Sequence, residues 1–99
     1  MPSNKEIVRT FIEAWSNLDP DELAEFFAED GVYHNIPAKP VQGRAAIREF
    51  IAHFSGGWTK TDWDIVTLIE FDNVVVAERL DRTKVGEVSI DLPCCGFLR

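Results

Sequence analysis

The sequence predicts an α+β protein of one domain, residues 1–99. In the first half, apolar side chains recur at the three- and four-residue spacing of amphipathic helices, and from about residue 60 they alternate as in strands. Turn-forming residues divide the second half into consecutive segments, which is typical of an antiparallel meander. The 99 residues suffice for a single modest core, and the chain contains no internal repeat, linker or low-complexity tract.

Three helices are predicted in the first half. The first runs from a capping-box pattern at Ser3 to about Trp15. A second begins at Asp19, which is followed by a proline and two acidic residues that suit a first turn, and ends at Gly31. The third covers residues 43–54 and is stopped by a pair of glycines.

Two strand segments are predicted between and after these helices. Residues 31–37 form a short strand that enters a loop, in which prolines exclude regular structure. Residues 61–71 alternate so that one face carries Trp63, Ile65, Thr67, Ile69 and Phe71.

The remaining chain continues the meander. Asp72-Asn73 predicts a tight turn into the segment VVVAERLDR, residues 74–82. A turn at residues 84–86 leads to a last strand, which we expect to be interrupted near Pro93. Such a sheet has one face for the three helices to cover, and a pocket is expected between the two layers.

Composition excludes several classes of protein. The formal net charge of −7 argues against nucleic acid or an anionic membrane as a partner. No apolar run has the length of a membrane span, and the N-terminus lacks a signal-peptide core, so we expect a cytoplasmic protein. Cys94 and Cys95 would face opposite sides of a strand and stay reduced, and no Cys/His spacing predicts a metal site.

Four polar residues are candidates for chemistry. Arg79 and Asp81 share one face of the segment 74–82, where opposite charges two residues apart can satisfy each other if that face is buried. Tyr33 and Asn35 also share a face, and their hydroxyl and amide groups could hold one water molecule. Together the four suit the addition of water to a small apolar electrophile.

Spacing alone favours a plainer interpretation of the same residues. In it, Tyr33 is a half-buried strand residue, Asn35 begins a loop, and Arg79 and Asp81 form an ion pair at the rim of the protein. Structural ion pairs often look like functional ones in a sequence.

A resemblance to a known family favours the functional interpretation of these four residues. The segment EAWSNLDPDELAEFFAEDGVYHNIP, followed by GRAAIREFI, resembles the opening of a SnoaL-like (NTF2-like) domain, and YHNIP with ERLDR resembles the active-site strands of limonene-1,2-epoxide hydrolases. The resemblance implies a cone of three N-terminal helices packed on a curved, mainly antiparallel sheet. The chain looks C-terminally shortened, because the family's last strand has no counterpart.

The resemblance also implies residue roles in cofactor-free hydrolysis without a covalent intermediate. Tyr33 and Asn35 would hold the attacking water, Asp81 would protonate the epoxide oxygen, and Arg79 would bridge the catalytic carboxylates. The family's water-activating aspartate lies on the absent strand, and Asp91 is the nearest substitute. Candidate pocket residues, for each of which core packing is an equal alternative, are Trp15, Phe54, Trp58 and Trp63.

The missing carboxylate has a chemical consequence. Arg79 beside a lone Asp81 keeps that side chain ionised, and an ionised carboxylate cannot donate a proton to an epoxide. The hydrolase is therefore expected to be impaired. Two alternatives stay open: a SnoaL-like cyclase or isomerase with Asp81 as base, and a non-catalytic module that binds apolar ligands. The long apolar edge of the last strand predicts a homodimer or a strand-exchanged oligomer. The other expected partner is a small apolar substrate or ligand.

Overall fold

The computed structural model describes residues 3–34 and 39–98. Its elements, in chain order, are α1 (Asn4–Ala14), a 3₁₀ turn (Trp15–Asn17), α2 (Pro20–Ala24), β1 (Val32–Tyr33), β2 (Val41–Gln42), α3 (Arg44–Phe54), β3 (Lys60–Phe71), β4 (Val74–Val85) and β5 (Val88–Leu98). This order confirms the predicted α+β class. None of the helices in the described part of the chain has the length and apolar character needed to cross a membrane.

Within the part of the chain that the structure describes, the strands form two antiparallel sheets. Strands β3, β4 and β5 pair in that order, and the short strands β1 and β2 pair with each other. The predicted turn at Asp72-Asn73 joins β3 to β4, and Asp72 adopts a left-handed φ of 54°, which aspartate tolerates well. The second turn lies at residues 86–87, so it shares only Gly86, at a φ of 63°, with the predicted range 84–86.

The prediction that alternate residues from Trp63 to Phe71 share one face is wrong beyond Ile65. Pairing with β4 shifts between Ile65 and Thr67, so Val66 is the extra residue of a β-bulge. One inserted residue exchanges the two faces of the rest of the strand. Leu68 therefore packs against the core, whereas Thr67 is exposed.

Two strand boundaries also differ from the prediction. Val41–Gln42 forms β2, a strand too short to produce any periodic signal in the sequence. Strand β5 continues through Pro93 without a break. Proline is tolerated there because β5 is an outer strand of the described sheet, so the missing N–H can face away from β4.

The helix starts follow the local sequence signals. Ser3 accepts a hydrogen bond from the backbone N–H of Glu6 at 3.2 Å, which is one of the two hydrogen bonds of the predicted capping box. The Asp19 carboxylate accepts from the N–H groups of Asp21 and Glu22 at 3.1 and 3.4 Å. Helix α2 itself is shorter than expected and ends at Ala24.

Removing the Asp19 cap is expected to weaken the start of α2. Asp19→Ala leaves the N–H groups of Asp21 and Glu22 to solvent, which costs about 1 kcal/mol in the free energy of unfolding. Urea unfolding followed by circular dichroism measures the change. Asp19→Asn retains a capping oxygen and serves as the control, and equal losses in both variants would contradict the role of the cap.

The core lies between the helices and one face of the three-stranded sheet. Helix α1 packs on β3 and β4, while α3 packs on α2 and on the β1–β2 pair. The buried apolar residues that form this core are Val8, Phe11, Ile12, Ala14, Trp15, Leu23, Ile47, Ile51, Val75 and Ala77. Val75 and Ala77 alternate along β4, so the residues that follow them at the same spacing also face the core.

Candidate functional site

Arg79 and Asp81 are the next two core-facing residues of β4. Arg79 donates from Nε to Oδ1 of Asp81 at 3.1 Å and from Nη2 to Oδ2 at 3.2 Å. The Arg79 and Asp81 side chains are only 16% and 10% exposed. The pair thus lies inside the protein rather than at its rim, and two charge-assisted hydrogen bonds fix the two side chains against each other.

The Arg79 guanidinium is held between two strands. It stacks over the Trp63 ring of β3, with 4.5 Å from its central carbon to the ring centroid. On the β5 side, a Cβ atom added to Gly96 would approach Nη1 of Arg79 to 3.1 Å. The orientation of the guanidinium is therefore set by Asp81, Trp63 and the absence of a side chain at residue 96.

Cys94 is a member of the site that the sequence analysis missed. In the register of β4 and β5 it lies directly opposite Arg79, so its side chain shares the core-facing side of the sheet. Burial raises the pKa of the Cys94 thiol, and Asp81 raises it further, while Arg79 acts in the opposite direction. No local sequence signal places Cys94 here, because its position follows from the pairing of β4 with β5.

Asp91 does not join the site. It pairs with Arg82, which faces away from the core and forms an exposed ion pair with Asp64 at 3.0 Å. The side chains of β5 alternate, so Asp91 points to the outer face of the sheet while Cys94 points inward. Asp91 is therefore no substitute for the water-activating carboxylate of the epoxide hydrolases.

Tyr33 brings a phenol to the site from β1. Its ring packs against Phe27 and Phe50, with centroids 5.6 and 5.5 Å apart. Burial raises the pKa of the Tyr33 hydroxyl; Arg79 lowers it, and the negative charge of Asp81 raises it. Tyr33 is thus within electrostatic reach of the ion pair and stays a neutral hydrogen-bond donor. Asn35, its predicted companion, lies outside the described residues.

The titration of Tyr33 can be observed directly, because it is the only tyrosine in the chain. We expect its tyrosinate absorbance to appear at a higher pH in the folded protein than in urea, since its pKa is raised by burial. The raised pKa of Tyr33 also makes stability depend on pH. It stabilises the folded protein at pH values below the ordinary pKa of a phenol, and this contribution is lost as pH rises through the pKa of Tyr33 in the folded state. Coincident folded and unfolded titrations would contradict the burial of the hydroxyl.

The four candidate pocket residues form one continuous aromatic cluster. Trp15 stacks on Trp63 with centroids 4.2 Å apart and lies 6.1 Å from Trp58, which in turn contacts Phe54 at 5.1 Å. Trp15 is completely buried, which favours core packing, whereas the other three remain partly exposed. The indole N–H of Trp15 has no hydrogen-bond partner among the described residues.

The site offers acid–base groups and hydrogen-bond donors rather than metal ligands. Across residues 3–34 and 39–98, no three His, Cys, Asp or Glu side chains group together in a way that could hold a metal ion. The groups that it brings together are a carboxylate, a guanidinium, a phenol and a thiol beside aromatic rings.

Residues 8–99 match the family model of the SnoaL-like domain. The chain belongs to the SnoaL-like family. The match covers nearly the whole chain, including all four residues of the resemblance noted above.

Solved structures share this SnoaL-like fold. A Catenulispora acidiphila protein of ketosteroid isomerase-like fold, in complex with trimethylamine, is 23% identical with a TM-score of 0.84; the alignment covers 95% of this chain and 75% of that one. An M. tuberculosis LEH-like epoxide hydrolase is 22% identical, with a TM-score of 0.77; the alignment covers 92% of this chain and 68% of that one. A candidate SnoaL-like polyketide cyclase from Shewanella putrefaciens is 19% identical, with a TM-score of 0.80 and coverage of 99% and 79%.

These similarities confirm the predicted fold, with N-terminal helices packed on an antiparallel sheet as in ketosteroid isomerase-like proteins. At such identities they show the fold alone. The same SnoaL-like fold therefore carries an epoxide hydrolase in one relative and a candidate cyclase in another.

Proposed function

We propose that this SnoaL-like domain adds water to a small, mostly apolar epoxide and releases a vicinal diol without a cofactor. The observation that carries the proposal is the buried, doubly hydrogen-bonded pair of Arg79 and Asp81 within electrostatic reach of Tyr33. Such a pair places a charged acid–base group and fixed hydrogen-bond donors inside a largely apolar part of the protein, where both act most strongly.

The aromatic cluster beside this pair supports an apolar substrate. Phe54, Trp58 and Trp63 are partly exposed and contact one another or the completely buried Trp15. These three partly exposed rings would form the wall against which the apolar body of the epoxide packs, while Trp15 supports them from the core.

The proton steps follow from the ion pair. The Asp81 carboxylate, held in place by two hydrogen bonds from Arg79, accepts a proton from the attacking water as the new C–O bond forms. The epoxide C–O bond breaks, and Asp81 passes the same proton to the oxygen that is released. Tyr33, together with Asn35, orients the water. Asp81 thus serves as base and then as the acid that the family resemblance implied.

A single carboxylate in both roles predicts slow turnover. General acid and general base catalysis each contribute roughly 10²–10⁴-fold, and hydrolases with two carboxylates obtain both contributions in one step. Here the two proton transfers occur in sequence through Asp81, so we propose an impaired hydrolase.

Hydrolysis of limonene oxide and styrene oxide tests the proposal. The purified chain should form the diol faster than buffer alone, and in ¹⁸O-labelled water under single-turnover conditions the label should enter the diol directly, since no covalent intermediate is formed. Tyr33→Phe should slow the reaction. Diol formation at the uncatalysed rate would refute hydrolysis.

A second candidate function is proton transfer by Asp81 as base, as in a SnoaL-like cyclase or isomerase. The bidentate pairing with Arg79 favours this candidate, because it holds a single carboxylate in a fixed position and the reaction requires no second one. Deuterium exchange next to the carbonyl of a ketone ligand would reveal it. A third, non-catalytic candidate, an apolar-ligand-binding module, predicts binding without hydrolysis or exchange.

We also propose a homodimer, with a strand-exchanged oligomer as the alternative. The outer face of the sheet carries an apolar patch that the described helices leave uncovered, formed by Ile69, Phe71, Val74, Val76 and Phe97. An exposed patch of this kind marks an interaction surface. Light scattering at micromolar concentration should give twice the monomer mass, and a monomer would refute the proposal.

The cytoplasm is the compartment we propose for this protein. Cys94 and Cys95 are both free thiols, and neighbouring unpaired cysteines are typical of a reducing environment. The net charge of −7 supports partners other than nucleic acid or anionic membranes.

A further inference from the structure

A group of hydrogen-bonded hydroxyls lies on the core-facing side of the sheet, at one end of the aromatic cluster. Thr61 of β3 is only 1% exposed, and its Oγ1 lies 2.8 Å from Oγ1 of Thr83, the residue opposite it on β4. The same oxygen accepts a hydrogen bond from the indole N–H of Trp63 at 2.9 Å. The Thr61 hydroxyl also donates to the backbone carbonyl of Arg82 at 3.3 Å. With three partners in a buried place, the Thr61 oxygen has a fixed position.

Trp63 is held by stacking and, at its edge, by Thr61. Its ring stacks on Trp15, with centroids 4.2 Å and planes 17° apart, and the Arg79 guanidinium lies 4.5 Å from the ring centroid. Stacking restrains the plane of the indole but does not decide which edge points towards Thr61. The χ2 torsion of tryptophan has two broad minima about half a turn apart, and only one of them satisfies the hydrogen bond to Thr61. This hydrogen bond therefore selects the orientation of the ring on which Arg79 lies.

We propose that Thr61 is a positioning residue for the ion pair of Arg79 and Asp81 and acts through the indole of Trp63. The hydroxyl sets the orientation of the indole, and the face of the indole supports the guanidinium. The guanidinium in turn donates to both oxygens of the Asp81 carboxylate. Because a guanidinium is planar and rigid, a tilt of its plane disturbs both of these hydrogen bonds at once.

The effect of Thr61 on turnover rests on the proposed function, whereas its effect on Arg79 does not. In the proposed hydrolysis the Asp81 carboxylate meets first the attacking water and then the released oxygen. A misplacement of about 1 Å in such a group can cost roughly 10²-fold in rate. The same requirement applies if Asp81 serves as the base of a cyclase or isomerase.

Thr61→Val tests the role, because it removes the hydroxyl and keeps the shape of the side chain. In NMR spectra of the full chain, the Nε–H proton of Arg79 should exchange with solvent about tenfold faster relative to the backbone amide of Ala77. The Ala77 amide lies in the central strand and reports any loss of stability of the whole sheet. Formation of the diol should slow by roughly 10–10²-fold. Thr61→Ser keeps the accepting oxygen and should restore both values.

Thr67→Val is the matched control. Thr67 lies on the same strand and donates to Glu78 at 2.8 Å, but on the exposed outer face of the sheet. This change should alter neither the relative exchange of Arg79 nor the formation of diol. A double variant tests the route: Trp63→Phe removes the indole N–H, so adding Thr61→Val to it should have no further effect on the exchange of Arg79.

The outcomes separate the positioning role from the hydrolysis. Unchanged relative exchange of Arg79 in Thr61→Val overturns the role, and so does a full effect of Thr61→Val in the Trp63→Phe background. Unchanged diol formation in Thr61→Val, where the unaltered chain is active, overturns it as well. Faster exchange in a chain that forms no diol supports the role and refutes the hydrolysis. If Thr61→Val fails to fold, Trp63→Phe decides: the relative exchange of Arg79 should rise, and an unchanged value overturns the role.

Discussion

Asp81→Asn is expected to abolish epoxide hydrolysis, lowering the rate by roughly 10²–10⁴-fold. The amide cannot accept the proton of the attacking water, and it cannot form the charged pair that orients Arg79. Binding of an apolar ligand should persist, because the aromatic rings beside the site remain. Diol formation and the binding of ethylbenzene, an apolar ligand without an oxygen acceptor, measured on the same preparation, separate catalysis from binding.

Asp64→Asn is the matched control for this prediction. Asp64 also pairs with an arginine, Arg82, at 3.0 Å, but this pair lies on the exposed face of the sheet. Its contribution to stability is expected to be at most about 1 kcal/mol, and hydrolysis should be unchanged. Equal loss of activity in the two variants would show that the buried pair has no special role, and retained hydrolysis in Asp81→Asn would remove Asp81 from the mechanism.

Trp15→Ala is expected to cost about 3–5 kcal/mol in the free energy of unfolding. Trp15 is completely buried, and its ring stacks on Trp63 and meets the edge of Phe11, so truncation removes several contacts at once and leaves a cavity. Urea unfolding with linear extrapolation measures the loss.

Phe71→Ala provides the comparison for Trp15. Phe71 is 74% exposed, so in the monomer its truncation should change stability by less than about 0.5 kcal/mol. A small loss for Trp15→Ala, combined with weaker ligand binding, would instead assign Trp15 to the pocket wall. A large loss assigns it to the core.

Local signals in the sequence were sufficient to predict most of the helices, strands and turns. The caps at Ser3 and Asp19 and the turn at Asp72-Asn73 depend on residues within a few positions of each other, so the sequence predicts them directly. The bulge at Val66 could not be predicted in this way. It depends on how β3 pairs with β4, and every face assignment after it changes.

The sequence by itself determined the α+β class, the order of the three helices and the three long strands, and the shared face of Arg79 and Asp81, because each follows from spacing along one segment. Only the tertiary structure decided which groups meet that pair. The register of β4 and β5 places Cys94 opposite Arg79 and sends Asp91 to the other face, and the packing of three strands sets Trp63 and Gly96 on either side of the guanidinium. Contacts between distant segments depend on pairing and packing across the whole fold, which short-range spacing does not encode.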